Sequence, residues 1–159
     1  MYTTSLWYLL LKTIRPRQWI KNFAIYAALI FSGFFFYNPA NELPYFGTVT
    51  LAFVAFCFLA SSVYIFNDIV DIPVDRQHPF KKKRPIASGA LPIPIAVFFA
   101  VGLLFVAFLI SLSLSGFFRL LMLGYLLLQF IYAKKIKHVA ILDVLSIAAG
   151  FLIRVYAGA

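Results

Sequence analysis

The sequence predicts an all-α, multi-pass transmembrane helical bundle of about five segments. Three observations lead there. Hydrophobic residues make up 64% of the chain and charged residues 12%, against about 45–50% and about 25% in soluble domains. The apolar residues come in runs close to the roughly 20 needed to cross a hydrocarbon core. The basic residues fall in short clusters between those runs rather than on one face. That last pattern excludes a nucleic-acid reading of the +9 net charge and fits loops at a membrane surface.

Residues 1–18 read as an interfacial N-terminal segment. Leu6, Trp7, Leu9, Leu10 and Leu11 precede Lys12, Arg15 and Arg17. Such a stretch lies in the interface plane, with Trp7, Tyr8 and Trp19 at headgroup depth. Leu6–Leu11 is too short to span, and no small-residue cleavage pattern precedes the basic cluster, so a cleavable signal is not expected. Pro16 breaks or restarts the helix.

Residues 19–159 form the transmembrane domain. The first span is roughly Trp19 to Tyr37. Asn38–Pro44 is a turn-rich connection without a positive charge. The second span runs from Gly47 to about Val70. A basic loop follows with Arg76, Lys81, Lys82, Lys83 and Arg84. The third span covers about Leu91 to Leu112, with a turn at Ser111–Gly116. The fourth covers about Phe117 to Ala133. Lys134, Lys135, Lys137 and His138 make another basic loop, and a fifth apolar segment begins near Val139. No repeat, heptad seam or low-complexity linker interrupts this single domain. The lone Cys57 sits in an apolar run and reads as a small buried residue.

Lys and Arg alternate from loop to loop: four, none, five, at most one, three. The positive-inside rule then puts the N-terminus, Arg84 and Lys137 on the cytoplasmic side.

Three of the chain's five acidic residues, Asp68, Asp71 and Asp75, follow the uncharged run Gly47–Phe66. Their i, i+3, i+7 spacing puts them on one helix face, with Asn67 at its edge. Like charges repel there, and a helix C-terminus disfavours anions. Both penalties argue for a compensating cation. Oxygen donors suit magnesium, held by carboxylates together with substrate phosphates and water. Pro73 weakens the shared-face argument for Asp75. The bland alternative is that these carboxylates pair with Arg76 and the lysines and set topology only.

With its flanks, the stretch resembles a family. Asn67-Asp68-x-x-Asp71-x-x-x-Asp75 is similar to the first aspartate-rich motif of the UbiA superfamily of intramembrane prenyltransferases. The run from Asp75-Arg76 through His78-Pro79, Lys81 and Arg84-Pro85-Ile86-Ala87-Ser88-Gly89 looks like that motif's continuation. Arg15-Pro16-Arg17-Gln18-Trp19-Ile20-Lys21-Asn22 and Lys137-His138-x-x-x-Leu142-Asp143-Val144 resemble the decaprenyl-phosphate phosphoribosyltransferase branch.

The resemblance implies a membrane transferase using magnesium (Mg2+) on Asn67, Asp68, Asp71 and Asp75. The donor would carry a diphosphate, here phosphoribosyl pyrophosphate. The acceptor would be a polyprenyl (decaprenyl) phosphate, and the product a precursor of cell-wall arabinose. Prenyl transfer from a prenyl diphosphate to an aromatic acceptor is the commoner activity of the superfamily. A non-catalytic cation-binding subunit is the reading from a different class.

Arg17 and Lys21 flank Trp19 at the membrane entry and are candidate phosphate clamps, or else topology signals that snorkel. Arg84 is the candidate diphosphate contact of the second loop, whereas Lys81–Lys83 read more as a solvated or lipid-binding run. His78 has no second ligand at zinc spacing. Asp143, one turn into the fifth segment, binds substrate, orients a basic residue or pairs with Lys135 or Lys137. Arg154, eleven residues on and inside the membrane, should face the bundle interior or a polar cavity. Superfamily members have about nine helices and a second aspartate motif. The expectation here is therefore one half-site, completed by a second half-protein or oligomer.

Overall fold

A computed structural model describes residues 5–39, 43–134 and 140–159. Lys135, Lys137 and His138 lie outside the described residues, as do Ala40, Asn41 and Glu42. The elements, in order, are α1 (Leu6–Thr13), a 3₁₀ segment (Pro16–Tyr26), α2 (Ala27–Ser32), α3 (Tyr45–Val70), α4 (Ile72–Gln77), a 3₁₀ turn (Lys81–Lys83), α5 (Ile93–Ser111), α6 (Gly116–Lys134) and α7 (Ala140–Ala157). Among the described residues, α3, α5 and α6 are long and apolar enough to cross a membrane.

Helix α3 is the central element. Its buried face runs from Val49 through Phe56, Leu59 and Ile65 to Asp68. Small residues let α5 lie close against it: Ala96, Ala100 and Ala107 on α5 are fully buried, as are Ala55 and Ser61 on α3. Packing by close approach of small side chains is how helices associate where lipid removes the hydrophobic drive. On another side, Phe56 meets Phe118 and Tyr125 of α6 edge-on, with ring centroids 5.7 and 5.6 Å apart.

The first predicted span is not one straight α-helix. After α1, Arg15 adopts a left-handed backbone (φ 52°), and Pro16 opens an eleven-residue 3₁₀ segment. Gly33 ends α2 in the left-handed conformation (φ 75°). A 3₁₀ helix rises ~2.0 Å per residue against ~1.5 Å in an α-helix, so the two pieces together reach about 31 Å. Trp19 turns towards α3 and donates its Nε1–H to Ser61 Oγ at 3.0 Å.

The bend after α3 falls at Asp71, two residues before Pro73. Asp71 caps α3 (φ −86°, ψ 2°), and Pro73 occupies the first turn of α4. The backbone ladder crosses the joint, since Asp71 N donates to Asn67 O at 2.9 Å and Asp75 N to Asp71 O at 2.8 Å. Asp75 therefore begins a new short helix.

Candidate functional site

Between α3, α6, α7 and the chain around Arg15–Lys21 lies a cavity of about 330 Å³. Asn67, Asp68 and Asp71 line it from the end of α3, with Tyr64 one turn deeper. Tyr125, Gln129 and Tyr132 face it from α6, and Ser146, Gly150 and Arg154 from α7. Arg15, Lys21, Lys81 and Arg84 complete the wall. Five cationic side chains thus face two carboxylates, and the cavity favours anions.

Two carboxylates of the acidic motif, Asp68 and Asp75, are held by arginines. Asp68 Oδ1 accepts from Arg15 Nη2 and, at 3.1 Å, from Arg84 Nη1. The same Arg84 nitrogen donates to Asp75 Oδ2 at 2.6 Å. Asp68 and Asp75 are almost completely buried, where an unpaired charge would be costly. Arg15 also stacks over the Tyr64 ring, 5.4 Å from its centroid. The pairing partners are Arg15 and Arg84 rather than Arg76, whose Nε donates to Ala87 O at 3.1 Å.

Of the residues singled out from the sequence, Lys21, Asn67, Asp68, Asp71 and Arg84 come together in the cavity. Arg17 is exposed and outside the lining. Asp75 sits behind Arg84, also outside it. Asp143 reaches the site indirectly, accepting at 2.8 Å from the Tyr132 hydroxyl. His78 forms a turn, its Nδ1 accepting from the backbone N–H groups of Phe80 and Lys81. Among the three lysines of that loop, Lys81 lines the cavity.

The tyrosines, Gln129 and Ser146 were not singled out from the sequence. Their signal is periodic: Tyr125, Gln129 and Tyr132 are spaced i, i+4, i+7, and Ser146, Gly150 and Arg154 i, i+4, i+8. Each is a polar or small stripe on an otherwise apolar helix, aimed at one face.

At the floor, Arg154 is buried. Its Nε donates to Asn22 Oδ1 (2.8 Å), Nη1 to Gly150 O (2.7 Å) and Nη2 to the Tyr125 hydroxyl (2.9 Å). Asn22 in turn donates Nδ2–H to Cys57 Sγ at 3.3 Å.

Among the described residues, no three His, Cys, Asp or Glu side chains form a metal-holding group. The donor set does fit an ion held jointly: two carboxylates and an amide beside a cationic cavity suit magnesium that takes its remaining ligands from a phosphate and water.

The chain matches the UbiA prenyltransferase family over residues 26–159. It is 44% identical over 153 residues to the decaprenyl-phosphate phosphoribosyltransferase of Mycolicibacterium smegmatis, covering 94% of this chain and 46% of that one. It is 37% identical over 152 residues to the enzyme of that name from Corynebacterium glutamicum, covering 94% and 45%. The chain therefore spans about half the length of these curated relatives. In fold it is similar to a UbiA homologue from Archaeoglobus fulgidus solved with DMAPP and Mg2+. The TM-score is 0.75 at 23% identity, over 94% of this chain and 52% of that one.

Proposed function

This chain belongs to the UbiA prenyltransferase family, and from that premise we propose that its cavity is half of a transferase site for a diphosphate-bearing sugar. The donor is phosphoribosyl pyrophosphate and the acceptor a polyprenyl (decaprenyl) phosphate held in the membrane. The product serves cell-wall arabinose synthesis. The observation that carries this reading is that Asp68 and Asp71 share one cavity with five cations and that its remaining walls are rich in hydroxyl and amide groups. Tyrosines, Gln129 and Ser146 suit a ribose better than a prenyl chain, which needs an apolar wall. The phosphoribosyltransferase relatives support the same choice.

Asp68 and Asp71, with Asn67, would hold magnesium. When bound there, the metal supplies neutralisation of the pyrophosphate charge as that group leaves. Asp75 anchors Arg84 behind the site. Arg15 and Arg84 have N–H donors beyond those given to aspartate, and Lys21 and Lys81 add point charges for the phosphates. Arg17 stands farther out at the membrane entry. Asp143 orients the Tyr132 hydroxyl. The acceptor phosphate oxygen attacks the anomeric carbon, forming that C–O bond as the bond to pyrophosphate breaks, so no protein nucleophile is required. The site faces the cytoplasm, and a second half-protein or oligomer supplies the opposite wall.

A chimaera tests this reading: the chain replaces the matching half of the M. smegmatis relative, and membranes receive radiolabelled phosphoribosyl pyrophosphate, decaprenyl phosphate and magnesium. Lipid-linked ribose phosphate should form. A chimaera that instead transfers a prenyl group to an aromatic acceptor would overturn the assignment.

A further inference from the structure

We infer that Arg154 forms a second phosphate subsite, on the floor of the cavity and independent of the metal, which takes a phosphate monoester. This rests on the proposed function in that the cavity is read as a substrate site. The observation behind it is a buried cation without a counterion. Arg154 is 6% exposed, yet its acceptors are an amide oxygen, a backbone carbonyl and a hydroxyl. The three ion pairs among the described residues involve Arg15 and Arg84 and none involves Arg154. A guanidinium has five N–H donors, and each of the three nitrogens of Arg154 gives one to protein. The two remaining η hydrogens belong to a group that lines the cavity.

The neighbours are arranged to keep the charge uncompensated. Asn22 is the isosteric neutral form of aspartate, and its Oδ1 lies 2.8 Å from Arg154 Nε. Its orientation is fixed from behind by Cys57. An aspartate there would neutralise the guanidinium. Gly150 leaves the space: a Cβ added to it would lie 3.4 Å from Arg154 Nη1. The Tyr125 ring lies under the guanidinium, 4.9 Å from centroid to Cζ. Planar, fork-shaped and dehydrated, such a group recognises phosphate oxygens.

A phosphate bound here meets the α7 wall of the cavity, whereas the carboxylates stand on the wall at the end of α3. Asn22, the partner of Arg154, meets α3 at Cys57, eleven residues or about 16 Å of helix from Asp68, and Arg154 itself reaches into the cavity that Asp68 lines. The guanidinium folds back one turn along α7, onto Gly150, towards the carboxylates. Two monoesters fit the chemistry: the 5-phosphate of a phosphoribosyl donor and the phosphate of a lipid acceptor.

The test uses the full chain in nanodiscs with inorganic phosphate as the probe, in EDTA and then in magnesium. Wild type should bind phosphate in EDTA. Arg154→Met and Asn22→Asp should each weaken that binding at least tenfold, with Arg154→Lys between. Asn22→Asp keeps the fold because it satisfies the buried guanidinium, so an unchanged thermal midpoint with lost binding supports the subsite. Unchanged phosphate binding in Asn22→Asp and Arg154→Met overturns it. Displacement by ribose 5-phosphate assigns the site to the donor, and displacement by farnesyl phosphate assigns it to the acceptor. Displacement by neither overturns its assignment to a substrate. Magnesium-dependent pyrophosphate binding, lost in Asp71→Asn, reports separately on the proposed function. Its absence would sink that reading while leaving the metal-independent result to judge Arg154.

Discussion

Arg84 holds Asp75 through a 2.6 Å hydrogen bond in which the carboxylate side chain is 2% exposed and the guanidinium side chain 28%. The same nitrogen reaches Asp68, so one arginine on the basic loop fastens both ends of the acidic motif. Removing one partner of a buried pair leaves the other charge stranded, at about 3–5 kcal/mol. Arg84→Met should therefore destabilise the protein by that order, and Arg84→Met with Asp75→Asn by clearly less. Unfolding midpoints in detergent read the difference. A loss in the double variant equal to the sum of the losses in Arg84→Met and Asp75→Asn alone would show that the pair is not coupled.

Asp71 lines the cavity at the helix joint without being sealed inside. Asp71→Asn keeps the shape and removes the charge. The chimaeric transferase should lose about 100-fold or more in turnover, the scale on which a group stabilising developing charge acts. Its thermal midpoint should stay within a few degrees of wild type. Full activity in this variant would remove Asp71 from the proposed metal site.

Arg15 is the one non-glycine among the described residues with a positive φ. A left-handed backbone costs an L-residue about 1–2 kcal/mol, and glycine avoids most of it. Both Arg15→Ala and Arg15→Gly lose the contact to Asp68. The glycine variant should nevertheless be the more stable of the two by about 1 kcal/mol. Equal unfolding free energies would mean that the turn does not need this conformation.

Two glycines should respond oppositely to alanine. A Cβ at Gly158 would run into the carbonyl of Ile25, so Gly158→Ala should destabilise by about 1–3 kcal/mol through overpacking. A Cβ at Gly124 meets nothing within 4 Å, and Gly124→Ala should stabilise α6 by about 0.5–1 kcal/mol. A thermal-shift comparison of the two variants decides it.

Much of this architecture is legible in the amino-acid sequence. Hydropathy marked α3, α5 and α6 to within about two residues, because uniformly apolar runs end sharply at Pro44, Pro92 and the Ser-rich turn. The broken first span was only partly legible, since Pro16 marks a helix break but does not tell that the chain continues as a 3₁₀ segment with contacts to α3. Rarity of charge found Asp68 and Asp71. It did not reveal that Arg15 and Arg84, rather than Arg76, would hold Asp68, because those contacts span 53 and 16 residues. Arg154 was recognised as interior, but its partner Asn22 lies 132 residues away. Such a pairing belongs to helix packing, which local spacing does not encode.

Three contacts tie the first chain segment to α3 in antiparallel order: Arg15 to Asp68, Trp19 to Ser61 and Asn22 to Cys57. The two sides count differently. Seven residues separate Arg15 from Asn22, and eleven separate Cys57 from Asp68. At ~2.0 Å per 3₁₀ residue the first interval is about 14 Å, close to the second at ~1.5 Å per α residue, about 16 Å. Wound as an α-helix, the same seven residues would cover about 10 Å and fall short of the outer pair. The tighter winding acts as a vernier between two helical scales. A single inserted residue on either side would turn one contact away while leaving the others in place, so chain length across 15–22 and 57–68 is fixed to the residue.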